Sequence, residues 1–286
     1  MKNLRGANAV LTGASRGIGP YIARALAAKG VNLVLAARSA EQLEDIRREC
    51  ESRGVRAIAV TTDVTSADDL WLLKETAERE LGSVDILVNN AGIEITKSVG
   101  DLSQEEIDAI LRTNLDAPIR MTKLVLKGML ARRRGAIVNI SSMAGKSATP
   151  YNAIYSATKH GLNGFTESLD MELEGTGVNA GVVCPGFVSA AGMWANTGKA
   201  APRMLREVSP EKVAAAVLKV IRGTPEALVT AGPIRPLLAL QALAPSLTKP
   251  MLKRLGVLQV FRDRAHELAE ASQGEAREAS RVDASN

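Results

Sequence analysis

The stretch from Ala7 to Ala36 constrains the fold more than any other part of the chain. Ala7 to Thr12 is a short apolar run, and Thr12-Gly13-Ala14-Ser15-Arg16-Gly17-Ile18-Gly19 follows it directly. Tyr21 to Lys29 then places Ile22, Ala25 and Leu26 at helical spacing, Gly30 closes the helix, and Val31 to Ala36 is a second apolar run. Strand, glycine turn, helix and strand in that order make one βαβ unit. Glycines between a strand and a helix permit a tight turn. They also let the backbone approach a pyrophosphate, which rests on the helix N-terminus. Gly13, Ser15, Arg16, Gly17, Ile18 and Gly19 are therefore the first candidate ligand-binding residues.

Composition narrows the class. Of 286 residues 46% are hydrophobic, enough for a sizeable core, and only 3% are aromatic, so that core is built from Val, Ile, Leu and Ala. So few rings argue against a base-stacking surface. The net charge of +5 is modest, and the longest basic run, Arg132-Arg133-Arg134, reads as a solvated helix end. No nucleic-acid partner is expected. Cys50, Cys184, His160 and His266 have no metal-ligand spacing, so no metal is expected either. The N-terminus has no signal-peptide core, and no apolar run approaches the ~18 residues of a membrane span. A cytoplasmic protein is the expectation.

A second stretch carries the chemistry. Ile137 to Lys159 reads as a strand ending in Ser141 and Ser142, a Gly- and Pro-containing loop, and a helix with Tyr155 and Lys159 four residues apart. Residues i and i+4 share a helix face. The phenol and the ammonium can point into one space, and a strand-end serine can approach from the opposite side. Such a group suits proton transfer to or from an oxygen.

Four further stretches fall in order along the chain. Asp63-Val64 follows a strand over Val55 to Thr61, and Asn89-Asn90-Ala91-Gly92 ends one over Val84 to Val88. Asn114 lies in the next helix, ahead of Pro118. Pro185-Gly186 closes a strand over Val178 to Cys184. With TGxxxGxG and YxxxK, these motifs resemble the short-chain dehydrogenase/reductase family over about residues 5 to 230. The resemblance implies an α/β, Rossmann-like, doubly wound parallel sheet of about seven strands with helices on both faces. It also implies a nicotinamide cofactor and a catalytic tetrad. In that tetrad Ser142, thirteen residues before Tyr155, is the serine, with Ser141 as its runner-up, and Asn114 disturbs its helix and holds a water beside Lys159. It further implies that Asp63 and Val64 meet the adenine, that Asn90 lines the cofactor cleft, and that Lys159 holds the nicotinamide ribose. Pro185, Gly186 and Val188 lie where the family holds the carboxamide.

The second strand ends Ala36-Ala37-Arg38, with no carboxylate to accept from ribose hydroxyls. Arg38 and Arg16 instead suit a ribose phosphate, as in NADP-preferring members; NADP(H) is expected over NAD(H). A phenol has a pKa near ~10. Positive charge from Lys159 and the oxidised nicotinamide is expected to favour the phenolate, with Tyr155 acting as base toward an alcohol or acid toward a ketone. Glu94, Met143, Tyr151, Phe187, Met193 and Trp194 are the candidate substrate residues. Glu94 reads more readily as a solvated loop carboxylate.

The domain division is then a catalytic domain over 1–232 with a substrate lid at 189–206, a helical extension over 233–271, and a disordered tail over 272–286. In the extension Leu237, Leu240, Leu243, Leu247, Met251 and Leu255 recur at helical spacing, broken by Pro245 and Pro250. This stripe is expected to cover the active site or a partner subunit of a homodimer or homotetramer. Peripheral membrane contact through 237–255 is the less favoured reading. The function expected is NADPH-dependent interconversion of a carbonyl and an alcohol, with a lean toward a lipophilic carbonyl such as an oxoacyl chain or a steroid-like ketone. The alternatives are a catalytically silent cofactor sensor, a lipid ketone reductase at a membrane surface, and a sugar-nucleotide epimerase or dehydratase. The complete tetrad disfavours the first. The glycine spacing and the absence of a long substrate domain disfavour the last.

Overall fold

The computed structural model describes residues 1, 3–195, 201, 206–232, 234–254 and 256–268, without the side chains of Trp194, Ala195, Thr248, Lys249 and Leu252. The expected tail over 272–286, most of the second half of the expected lid, and Leu255 lie outside the described residues.

Seven parallel strands form one sheet in the order β3-β2-β1-β4-β5-β6-β7. They are β1 (Asn8–Thr12), β2 (Asn32–Ala37), β3 (Ala57–Thr61), β4 (Ile86–Asn89), β5 (Gly135–Ile140), β6 (Val178–Pro185) and β7 (Glu226–Val229). Alternate residues supply the two faces. Ala9 and Leu11 of β1, Leu33 and Leu35 of β2, and Ala136 and Val138 of β5 join one core. Val10, Val34 and Ile137 join the other. Burial on both faces explains why each strand reads as an unbroken apolar run. The helices α1 (Gly19–Ala27), α2 (Ala40–Glu51) and α8 (Pro210–Ile221) bury their apolar residues in the first core. The second core takes residues of α3 (Ala67–Leu81), α5 (Ala117–Ala131) and α6 (Ala153–Glu172).

Strand order reverses between β1 and β4, each paired with the other and carried outward in opposite directions. The C-terminal ends of such a pair open a crevice. Gly13 follows β1 there and Asn90 follows β4.

Helix ends follow their sequence signals. Ser103 caps α4 (Gln104–Leu111) in a full capping box with Glu106. Ser209 precedes α8 in extended backbone with Pro210 at its start, but its side chain makes no capping bond. Between α4 and α5 the helix widens into a π turn over Arg112–Asp116. Pro118 has no N–H to give to the Asn114 carbonyl four residues back, so the α-helical ladder cannot run through this point.

The extension breaks where its prolines suggested, and its leucine stripe is not the part that lies over the cleft. It breaks at Pro245 into α9 (Arg235–Leu243), a 3₁₀ turn (Pro245–Leu247) and α10 (Thr248–Arg254). Leu240, Leu243 and Leu247 are exposed, Leu243 by 86%. The segment that covers the cleft is instead the helix over residues 257–268, whose Val257 and Phe261 are buried against Tyr151 and Phe187. Val257, Phe261 and Ala265 fall four residues apart on the buried side of this helix, a short stripe beyond the one read in the sequence. No helix among the described residues is long and apolar enough to cross a membrane.

Candidate active site

The site begins at the glycine turn. Gly13 and Gly17 have φ of +65° and +64°, a region that favours glycine. A Cβ on Gly13 would stand 2.8 Å from Ala91 Cα, and one on Gly19 would stand 2.1 Å from the Gly13 carbonyl oxygen. The turn therefore needs glycine both for its conformation and for its packing against α1 and the end of β4.

Asn89 and Asn90 divide the work expected of their motif. Asn89 Nδ2 donates to Asn139 Oδ1 at 2.8 Å, and Asn139 Nδ2 donates to Thr166 Oγ1 at 2.7 Å, tying β4 to β5 and α6. Asn90 Nδ2 donates to the carbonyls of Thr12 and Gly13, each at 2.9 Å. The Asn90 and Ala91 amides both donate to Thr12 Oγ1. Thr12 is thus a site residue that sequence reasoning placed only inside a motif. Asn90 Oδ1 is buried with no partner. An orphaned acceptor beside a glycine turn shaped for close backbone approach fits a nucleotide that brings a hydroxyl donor and a pyrophosphate.

A cleft of about 560 Å³ continues from this turn. It brings together Gly13, Arg16, Gly17, Ile18 and Asn90 at one end, and Glu94, Ser142, Met143, Tyr155 and Lys159 deeper in. Pro185, Gly186, Phe187, Val188 and Met193 also line it. Ser15, Gly19, Arg38, Asp63, Val64, Asn114 and Tyr151 do not line it. Arg38 is exposed just beyond β2, close enough to Asp63 to help hold that carboxyl below its usual range, although the backbone hydrogen bond from Thr65 does more. Tyr151 packs beneath Phe261. The Trp194 side chain is outside the described residues. Ser189 donates its hydroxyl to the Val208 carbonyl at 3.3 Å.

The two strand-end serines separate by their bonds. Ser141 Oγ donates to the Lys159 carbonyl at 3.2 Å and is buried in the joint between β5 and α6. Ser142 Oγ accepts from the Ala144 amide at 3.1 Å, which leaves its proton for a second partner. Lys159 Nζ lies 5.5 Å from the centre of the Tyr155 ring and donates to the Ile140 carbonyl at 2.9 Å. The Asn114 amide is taken up on both sides by Ile93, whose N–H donates to Oδ1 at 2.9 Å and whose carbonyl accepts from Nδ2 at 2.8 Å. The side chain so fixes the chain after Gly92, and its Nδ2 also donates to Thr158 Oγ1 at 3.4 Å, one residue before Lys159. His160 binds the Ser156 carbonyl outside the cleft.

Burial decides the protonation of the pair. It pushes the Tyr155 phenol well above its ordinary value, the Glu94 carboxylate adds to the rise, and the Ser142 hydroxyl and Arg264 oppose it. Burial lowers Lys159 to about 8 from 10.5, although Cys184 and Glu94 resist. Desolvation thus raises the phenol in the protein alone, and the expected phenolate calls for the charge of the oxidised nicotinamide beside that of Lys159.

Glu94 is not the solvated carboxylate expected. Its Oε1 accepts from Asn152 Nδ2 at 2.7 Å and from Arg264 Nη1 at 3.4 Å, and its side chain is 10% exposed. Phe261 and Arg264 line the cleft from the terminal helix. No sequence signal marked them. Among the described residues no group of His, Cys, Asp and Glu is placed to hold a metal ion.

Comparison with known proteins gives a consistent picture. The family model described as short chain dehydrogenase matches residues 7–202. The ketoacyl reductase HetN of Nostoc sp. is 40% identical over 271 residues, covering 93% of this chain and 94% of that protein. The 3-oxoacyl-[acyl-carrier-protein] reductase FabG of Staphylococcus aureus is 37% identical over 63% of this chain and 74% of its own length. Among solved structures, a variant of actinorhodin polyketide ketoreductase with NADPH superposes with a TM-score of 0.72 at 36% identity, covering 78% of this chain and 95% of that one. A metagenomic short-chain oxidoreductase in complex with NADP does so with a TM-score of 0.69 at 34% identity, covering 80% and 98%.

Proposed function

The chain belongs to the short-chain dehydrogenase/reductase family, and on that premise we propose that it reduces a ketone on an acyl chain with NADPH, Tyr155 donating the proton. The observation that carries this reading is the buried phenol of Tyr155, set beside Ser142 and Lys159 in the cleft that starts at the glycine turn. The residues that would hold the cofactor are Gly13, Arg16, Gly17, Ile18 and Asn90 at the nucleotide end, with Lys159, Pro185, Gly186 and Val188 deeper in. Bound there, NADPH supplies the hydride.

The protein's own groups supply the rest. The Ser142 hydroxyl donates to the carbonyl oxygen and orients it. Tyr155 passes its proton to that oxygen as negative charge develops there. Lys159, held by the Ile140 carbonyl, places its ammonium near the phenolate so formed. Asn114, by fixing Ile93, shapes the wall after Gly92. Ile93, Met143, Phe187, Met193 and Phe261 give the cleft an apolar lining, which favours an acyl ketone over a sugar or a small polar one. The ketoacyl reductases among its relatives support the same substrate class. Arg16 and Arg38, with no carboxylate at the end of β2, support NADPH over NADH.

The test is a screen of NADPH oxidation over 3-oxoacyl thioesters, cyclic and aromatic ketones, and aldehydes. The 3-oxoacyl thioesters are expected to turn over fastest. NADPH binding with no carbonyl consumed would instead favour a silent cofactor sensor.

A further inference from the structure

The terminal helix meets the active site through an ion pair that is nearly out of solvent. Arg264 Nη1 lies 3.4 Å from Glu94 Oε1, and the two side chains are 12% and 10% exposed. The same carboxylate oxygen accepts from Asn152 Nδ2 at 2.7 Å, and Asn152 Oδ1 accepts from Thr96 Oγ1 at 3.2 Å. Asn152 stands immediately before α6, three residues ahead of Tyr155. Three separate parts of the chain converge here: the loop after β4, the start of the helix bearing Tyr155 and Lys159, and a helix more than a hundred residues later. Phe261 and Val257, one and two turns before Arg264, seat that last helix on Tyr151 and Phe187.

We propose that Arg264 is a positioning residue of the active site: paired with Glu94, it holds the carboxylate on Asn152, steadies the first turn of α6, and balances the charge that Tyr155 faces. A buried carboxylate without its cation is strongly disfavoured, so loss of Arg264 leaves the Glu94 charge uncompensated toward Tyr155 and loosens its hold on Asn152. The groups that act on the phenol come from every element around it. They are Lys159 from α6, Ser142 from the end of β5, Cys184 from β6, Glu94 from the loop after β4, and Arg264 from the terminal helix. Glu94 and Arg264 act on it in opposite senses. The kinetic part of this inference rests on Tyr155 as the acid/base; the structural part does not.

Two measurements on the full chain test it. In alcohol oxidation with NADP⁺, the pH at which the rate becomes limited by proton removal should rise by about half a unit to one unit in Arg264→Ala. It should fall by a similar amount in Glu94→Gln, return close to the parent in the double variant, and stay near the parent in Arg264→Lys. Separately, hydrogen exchange of the amides over residues 153–157 should quicken several-fold in Arg264→Ala and recover in Arg264→Lys. An unmoved pH limb in both single variants, or unchanged exchange in Arg264→Ala, overturns the proposal. Were no carbonyl or alcohol turned over at all, the functional reading would fall, and exchange alone would decide the role of Arg264.

Discussion

Lys159 shows how burial sets chemistry at a single side chain. Its folded value of about 8 lies below the ordinary 10.5. Between those values the unfolded chain binds a proton that the folded one does not, so its contribution to stability rises with pH through that window; below about 8 the full burial penalty is present. Lys159→Met should therefore stabilise the cofactor-free protein by about 2 to 3 kcal/mol at pH 7, with the gain shrinking toward pH 10. Urea unfolding at pH 7 and pH 9.5 checks the sign. Arg38 carries the second prediction at this scale. Arg38→Asp removes a guanidinium and adds a carboxylate at the end of β2, which should raise the KM for NADPH at least tenfold, since one charge-assisted hydrogen bond contributes about 1.5 to 3 kcal/mol. The KM for NADH should fall or stay level, and a parent already indifferent between the two cofactors would contradict the role given to Arg38. Tyr155, Lys159 and Ser142 were legible because their spacing is local to one strand and one helix. The protonation of Tyr155 was not, because it depends on Glu94, Arg264 and burial, none of which spacing encodes.

Elements position these side chains through close backbone approaches. Gly145 sits in the 3₁₀ turn after Ser142, and a Cβ there would come 2.7 Å from the Lys159 carbonyl oxygen and 2.8 Å from Asn163 Nδ2. Gly145→Ala should cost about 1 to 3 kcal/mol of stability by pushing that turn off α6. It should also lower kcat more than it changes NADPH affinity, which stopped-flow turnover and fluorescence titration would separate. The six strands placed in the sequence lie within two residues of those observed, because runs buried on both faces stand out from their polar flanks. The π turn at Arg112–Asp116 was anticipated only as a helix disturbed at Asn114. Sequence marks Pro118 as a break but does not say whether the freed Asn114 carbonyl kinks the helix or widens it.

Across the whole molecule, reversal of strand order between β1 and β4 makes the crevice, and the C-terminal extension closes it. The crevice was legible from the order of the motifs. The closure was not, since it depends on where a helix returns after two proline breaks, and the leucine stripe drew attention to α9 instead. Phe261→Ala empties the seat on Tyr151 and Phe187. It should raise the KM for an acyl ketone severalfold while leaving NADPH affinity unchanged, as steady-state kinetics and cofactor titration would show. The central claim is that Tyr155 delivers the proton in a site assembled around a bound nicotinamide. A single-turnover mixture of NADPH-loaded enzyme with a 3-oxoacyl thioester, run for the parent and for Tyr155→Phe, tests it most directly. The account predicts NADPH bound equally by both, consumed by the parent, and consumed about a hundred- to ten-thousandfold more slowly by the variant, the range of general acid catalysis. Consumption at the parent rate in Tyr155→Phe would contradict it.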